Sequence, residues 1–148
     1  MADDLAANKA LVRRYVDEVQ NGHRIEAMAE IFAADTTDHM NTWGGAFQGA
    51  NAGVESYRAW LAVFPDLASE VRFQVAEGDK VVSFKTLTGT HRGTYHDVPA
   101  TGRRVRFTII DIFRIQDGRI TDYWGLVDEA AILEQIGALG ALTGPARS

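Results

Sequence analysis

The hydrophobic pattern of this chain changes period at Phe64-Pro65, and that change sets which layers the chain can build. Ahead of it, apolar residues recur mainly at three- and four-residue steps; beyond it they alternate as far as residue 126. Over residues 4–21, Leu5, Leu11, Val12, Tyr15, Val16 and Val19 form one helical stripe that Asn8 alone interrupts, and Asn21-Gly22 ends it. Ile25, Met28, Ile31 and Phe32 mark a second, short helix. Val54, Tyr57, Trp60, Leu61 and Phe64 mark a third over residues 52–64, stopped by Pro65. After it, residues 67–76, 80–91, 103–115 and 119–126 read as strands, punctuated by Glu77-Gly78-Asp79, residues 99–102 and Asp117-Gly118. Asp128 opens a last helix with Ile132, Leu133 and Ile136 as its stripe, closed near Gly137 or Gly140.

Helices first and strands after them predict an α+β domain. A curved antiparallel sheet wraps around the N-terminal helices and forms a cone with an apolar pocket at its mouth. At 148 residues the chain suits a single domain, with a core over about residues 4–137 and a flexible tail over 141–148.

Within that plan one residue breaks the pattern. Along residues 105–115 the face holding Val105, Phe107, Ile109, Phe113 and Ile115 also holds Asp111. A carboxylate among large hydrophobes bears a desolvation cost unless something compensates it, and proteins use such burial to make acids and bases that work near neutral pH. The expectation is a catalytic acid/base at the floor of a pocket; the plainer alternative is an Asp held by backbone donors. The opposite face carries Thr108, Ile110 and Ile112, which predicts a covered outer face and a homodimer.

Several function classes are excluded or disfavoured. The chain has no cysteine, so it has neither a thiolate metal site nor a Cys nucleophile. A net charge of -5 disfavours nucleic acid, because phosphate binding needs clustered positive charge. No run of about 18 apolar residues is present, and Met1-Ala2-Asp3-Asp4 is acidic where a secretory leader is basic, so a soluble cytoplasmic protein is expected, with no membrane partner. The four histidines and Asp111 lack metal-ligand spacing, and no glycine-rich phosphate loop follows a strand, so neither metal nor cofactor is expected.

The groups expected to join Asp111 come from three regions. Residues 36–41 read as a short extended segment with Thr37, His39 and Asn41 on one face, and imidazole titrates in the useful range. The loop Trp43-Gly44-Gly45-Ala46-Phe47-Gln48-Gly49 places Trp43 at the rim of a site. In the last hairpin, a two-residue turn at Asp117-Gly118 would set Asp111 opposite Trp124, and a three-residue loop with a bulge would set it opposite Tyr123. His91 is a further candidate for the lining, His96 a weaker one, and Asp128 is expected to cap its helix.

The order of elements, with Phe64-Pro65-Asp66-Leu67, Ala76-Glu77-Gly78-Asp79, Gly89-Thr90-His91-Arg92-Gly93, Val98-Pro99-Ala100-Thr101-Gly102, Asp117-Gly118-Arg119-Ile120 and Tyr123-Trp124 ahead of Gln135-Ile136-Gly137, resembles the SnoaL-like polyketide cyclase (ester cyclase) family over about residues 8–137. The resemblance implies the cone fold of the nuclear-transport-factor-like superfamily, usually dimeric. In the family's aldol cyclases an acid follows the Trp of a His-Trp-Asp motif and works without metal or cofactor. The matching run here is Tyr123-Trp124-Gly125, so the acid is absent at Gly125 and Tyr123 replaces the His. Asp111 on the preceding strand could take over the proton transfer, and matching by register favours Tyr123 across from it.

The function expected from these readings is a cofactor-independent, polyketide cyclase-like enzyme. It would close or rearrange a ring of a hydrophobic, carbonyl-containing metabolite by general acid/base catalysis. Asp111, His39 and Tyr123 are the expected catalytic groups; Asn41, Trp43, Phe64, His91, Phe107, Phe113 and Trp124 are expected to bind the substrate. Epoxide opening is one alternative and calls for two inward carboxyls. A non-catalytic dimeric ligand-binding module is another.

Overall fold

The computed structural model describes residues 4–40 and 51–141. Helix α1 (Leu5–Arg14) starts where the Asp4 side chain accepts from the Ala7 N–H, and it runs on as a π-helical segment (Tyr15–Asn21). A 3₁₀ turn (Ile25–Ala27) leads into the single turn α2 (Met28–Ile31) and strand β1 (Phe32–Asp38). Helix α3 (Ala52–Val63) precedes strands β2 (Ala68–Glu77), β3 (Lys80–Thr90), β4 (Arg104–Gln116) and β5 (Arg119–Val127). Helix α4 (Glu129–Gln135) closes the fold, capped by the Asp128 side chain, which accepts from the Ala131 N–H.

The strands form one curved sheet in the order β1-β5-β4-β3-β2, antiparallel from β2 through β5, with β1 added in parallel at the edge of β5. β1 starts at Phe32, earlier than the sequence predicts, because the helix before it lasts only one turn.

Two apolar clusters lie on the helix-facing side. One joins Val12, Tyr15 and Val19 of the N-terminal helix to Phe32, Tyr57, Val81, Phe113, Ile115 and Tyr123. The other joins Trp60, Phe64 and Leu67 to Leu87, Val105, Phe107, Ile109 and the α4 stripe Ile132 and Leu133. Each buried aliphatic or aromatic side chain contributes about 1.5–3 kcal/mol of transfer free energy. Phe64 sits so close to β3 that a Cβ at Gly89 would meet its side chain at 2.8 Å, so the strand needs glycine there.

The clusters divide because the helix-facing row of each central strand turns polar midway. On β3 that row runs Val81, Ser83, Lys85, Leu87, and on β4 it runs Ile109, Asp111, Phe113, all buried. Ser83 stands directly opposite Asp111, and Lys85 opposite Ile109. The interior is therefore two hydrophobic lobes with a charged seam between them.

Candidate active site

The seam is built from three elements. The helix contributes Gln20, which its π-helical segment brings toward Tyr15. Residues five apart diverge by about 140° on an ideal α-helix, whereas i to i+5 bonding brings them onto one side. The Gln20 Nε2 lies 3.5 Å from the Tyr15 hydroxyl. Asn21 then fixes the helix end to β2: its side-chain amide donates to the Ser69 carbonyl at 2.8 Å and accepts from the Ser69 N–H at 2.7 Å.

From β3 comes Lys85, with 1% of its surface exposed, and from β4 comes Asp111, with 5% exposed. The two side chains form an ion pair, and the Lys85 ammonium also donates to Gln20 Oε1 at 3.1 Å. Its Nζ stands 5.9 Å from the centre of the Tyr15 ring. Burial, and after it the charge of Asp111, push the Tyr15 hydroxyl well above the ordinary phenol range. Tyr57 donates to the Val19 carbonyl at 2.7 Å, and burial raises its hydroxyl to about 12. Two charges removed from water need each other and further hydrogen bonds to be tolerated, and this pair has both.

A cavity opens against the pair. Its free volume is about 30 Å³, and its wall takes in Tyr15, Gln20, Ser56, Lys85, Asp111 and Tyr123, with Met40, Trp60 and Leu87 among the apolar members. Opposite Asp111 on β5 stands Gly125, where a Cβ would lie 3.2 Å from Asp111 Oδ1 and 3.0 Å from the Met40 side chain. The carboxyl of Asp111 thus fills the space that a side chain at position 125 would need.

A second buried carboxyl stands near the cavity. Asp38, 1% exposed, accepts from the Met40 N–H at 2.7 Å and interacts with the hydroxyls of Tyr123 and Ser56, which line the cavity. Burial raises its pKa against the pull of those donors. The Tyr123 hydroxyl is raised in turn, by burial first and then by the charge of Asp38.

The hairpin register departs from both alternatives read from the sequence. The turn has two residues, with Asp117 and Gly118 at φ 51 and 74, but a register shift beyond Ile115 and Ile120 pairs Arg114 with Asp122. That shift moves every later pair by one, so Asp111 meets neither Trp124 nor Tyr123 across the ladder. Tyr123 pairs with Phe113 on the helix-facing side, and both reach the cavity wall.

Other residues named from the sequence lie elsewhere. His39 stacks on Trp124 on the outer face, ring centres 4.7 Å apart, and its Nε2 is 3.0 Å from Asp122 Oδ1. Phe64 and Phe107 pack around Trp60 in the second apolar cluster. His91 is fully buried in the β3–β4 connection, where its Nδ1 accepts from the Thr101 N–H at 3.2 Å, and desolvation lowers its pKa. His96 lies 3.0 Å from Glu129. Asn41 and Trp43 fall outside the described residues. Among the described residues, no three His, Asp or Glu side chains converge as a metal ligand set, and no helix is long and apolar enough to cross a membrane.

Sequence reasoning passed over Lys85, Gln20 and Asp38. Lys85 had a signal: it shares strand parity with Val81 and Leu87, although the opposite parity of β3, with Val82 and Phe84, is just as apolar.

Residues 10–136 match the model of the SnoaL-like polyketide cyclases. The chain belongs to the SnoaL-like polyketide cyclase family. Solved structures agree. AclR from Streptomyces galilaeus, provisionally assigned as a hydroxylase, is 26% identical with a TM-score of 0.78, over 90% of this chain and 98% of its own. TsrD from Streptomyces laurentii is 26% identical with a TM-score of 0.82, over 93% of this chain and 99% of its own. IdmH from Streptomyces antibioticus, provisionally assigned as a polyketide cyclase, is 26% identical with a TM-score of 0.76, over 88% and 98%. No curated protein matches the chain. Membership supports a cyclase-like role and a small-molecule partner for this SnoaL-like protein.

Proposed function

We propose that this SnoaL-like protein closes or rearranges a ring of a hydrophobic, carbonyl-containing metabolite by proton transfer, without a cofactor, with Asp111 as the base. The observation that carries the reading is the Lys85–Asp111 pair at the wall of a cavity whose other lining residues are uncharged. A carboxylate can remove the acidic proton beside a carbonyl only if donors await the enolate oxygen. Lys85 and the Tyr123 hydroxyl are the donors on the same wall, and Phe113, Trp60 and Leu87 supply the apolar contact that holds a ring. Gly125, which has no side chain, leaves room for the Asp111 carboxyl on the β5 side.

Epoxide opening is the second reading, favoured by Asp38. That reaction uses one acid to protonate the epoxide oxygen and one base to activate the nucleophile, and a carboxyl whose pKa burial raises suits the first role better than an exposed one. Tyr123, between Asp38 and the cavity, would carry the proton.

Association as a homodimer belongs to the same proposal. The outer sheet face carries two cross-strand rows, Phe73-Phe84-Ile110-Leu126 and Val75-Val82-Ile112-Trp124, with Phe73, Val75 and Leu126 more than half exposed. A second copy is the simplest cover for such a surface.

Turnover of a panel of polyketide-like diketones and ring epoxides by wild type, Asp111→Asn and Asp38→Asn separates the readings. Proton abstraction predicts loss with Asp111→Asn on the diketones. Epoxide opening predicts loss with either variant on the epoxides. Retained ligand binding with no turnover of either class would point to a binding module.

A further inference from the structure

Lys85 has an environment that an ion-pairing role does not require. The chain has three lysines, Lys9, Lys80 and Lys85, and Lys85 alone of them is fully buried. Replacement of a buried ion pair by packed hydrophobes is often neutral for stability, so burial of this pair does little for the fold by itself. Its amine faces the cavity, held by one carboxylate and one amide oxygen. A desolvated lysine at a cavity wall can serve as a nucleophile toward carbonyls once a neighbouring group accepts its proton.

We infer that Lys85 is a covalent catalytic residue that condenses with a ketone or aldehyde of the substrate, with Asp111 as its proton carrier. The inference rests on the cavity being the substrate site and adds a covalent step to it. In the first step a proton passes from the Lys85 ammonium to the Asp111 carboxylate. That transfer leaves both groups uncharged. The free amine then forms a C–N bond to the carbonyl carbon, and the ammonium proton moves to the oxygen as the carbinolamine forms. Asp111 returns its proton to the carbinolamine hydroxyl, the C–O bond breaks, and water leaves with the iminium in place. Atoms and charge balance with no other reactant. Asp111, ionised again, is the base that removes the neighbouring C–H proton, now more acidic than beside a neutral ketone. The substrate class is narrowed to ring-forming molecules whose ketone or aldehyde reaches the seam between the two apolar lobes.

Pentane-2,4-dione is a suitable probe, since it condenses with an amine by loss of water to a conjugated enaminone that both mass and ultraviolet absorbance detect. With folded, full-length wild type at neutral pH, labelling of the peptide bearing Lys85 is expected to outpace that of Lys9 and Lys80 by at least about tenfold. Asp111→Asn keeps the amine and loses the carrier, and is expected to slow labelling of Lys85 by roughly 10² to 10⁴. Lys85→Arg retains the positive charge and is expected to abolish that label. Lys85 left unlabelled, or labelled no faster than the other two lysines, overturns the inference. A wild-type protein that exchanges the α-hydrogens of 2-tetralone with deuterium while Lys85 stays unlabelled keeps proton abstraction and removes the covalent step. Labelling without exchange or turnover keeps the amine and removes the ring-closing reading.

Discussion

The two faces of strands β3 and β4 invert each other. Toward the helices stand Ser83, Lys85 and Asp111, polar or charged and buried; toward the outside stand Val82, Phe84, Ile110 and Ile112, apolar and half-buried. Alternation alone would reverse the charged inward and the apolar outward positions, since burial normally selects apolar groups and leaves charges in water. Each departure costs free energy in the isolated protomer, so each marks a surface with another task. The inner one faces a cavity and carries the proposed proton chemistry. The outer one faces solvent in the protomer and carries the proposed association.

If the inner seam is a compensated ion pair, breaking it from one side should be the most damaging change. Lys85→Met leaves the Asp111 carboxylate buried without its partner, and a loss of about 3–5 kcal/mol is expected in urea unfolding. The double variant Lys85→Met with Asp111→Leu is expected to recover most of that loss. A single variant as stable as wild type would show that the pair is not buried as described.

Gln20 sharpens the same point at smaller scale. It supplies the second acceptor to the Lys85 ammonium. Gln20→Leu is expected to cost about 1.5–3 kcal/mol, the range for a hydrogen bond to a charged group, read as a lower urea midpoint.

Asp38 tests the inner face by pH. Its pKa in the folded protein is raised, so the native state holds the proton more tightly than the unfolded chain does. The stabilising contribution is fully present below the unfolded carboxyl value of about 4 and is lost as pH rises through the folded value, with a slope of at most about 1.4 kcal/mol per pH unit. Asp38→Asn should lack this slope, so its stability relative to wild type should improve from pH 4 upward. Parallel curves of urea midpoint against pH for the two proteins would contradict the burial argument.

The outer face should respond in the opposite manner. Ile110→Asp places a charge in the middle of the first apolar row, and the stability of the protomer should move by only about 0.5 kcal/mol, as at other surface positions. Sedimentation should nonetheless change from dimer to monomer. A dimer that survives this change would place association on another surface.

Much of the scaffold could be read from the chain because it is written in periods. The stripe through Val12, Tyr15 and Val19 and the alternation through Val105, Phe107 and Ile109 need no tertiary knowledge. The site was legible at Asp111, where a charge interrupts a long apolar row, and in Phe113 and Tyr123, which also reach the cavity wall. Lys85 was hidden because both faces of β3 carry apolar residues, so its parity becomes decisive only once β3 is paired with β4. In β1 the buried residues after Phe32 are Thr36 and Asp38, whose polarity suggests the wrong face and promoted His39 instead. The shift near Arg114 and Asp122 carries no local signature that separates it from a regular ladder, so Gly125 could not be placed opposite Asp111.

The most direct measurement is deuterium incorporation at the acidic position of 2-tetralone in D₂O, by wild type against Asp111→Asn, with both proteins shown to be folded. Wild type should exchange the proton above background, and the variant should be slower by roughly 10² to 10⁴, the contribution of one positioned base. Equal exchange by the two proteins would contradict the account, because the carboxylate at the centre of the seam would then move no proton.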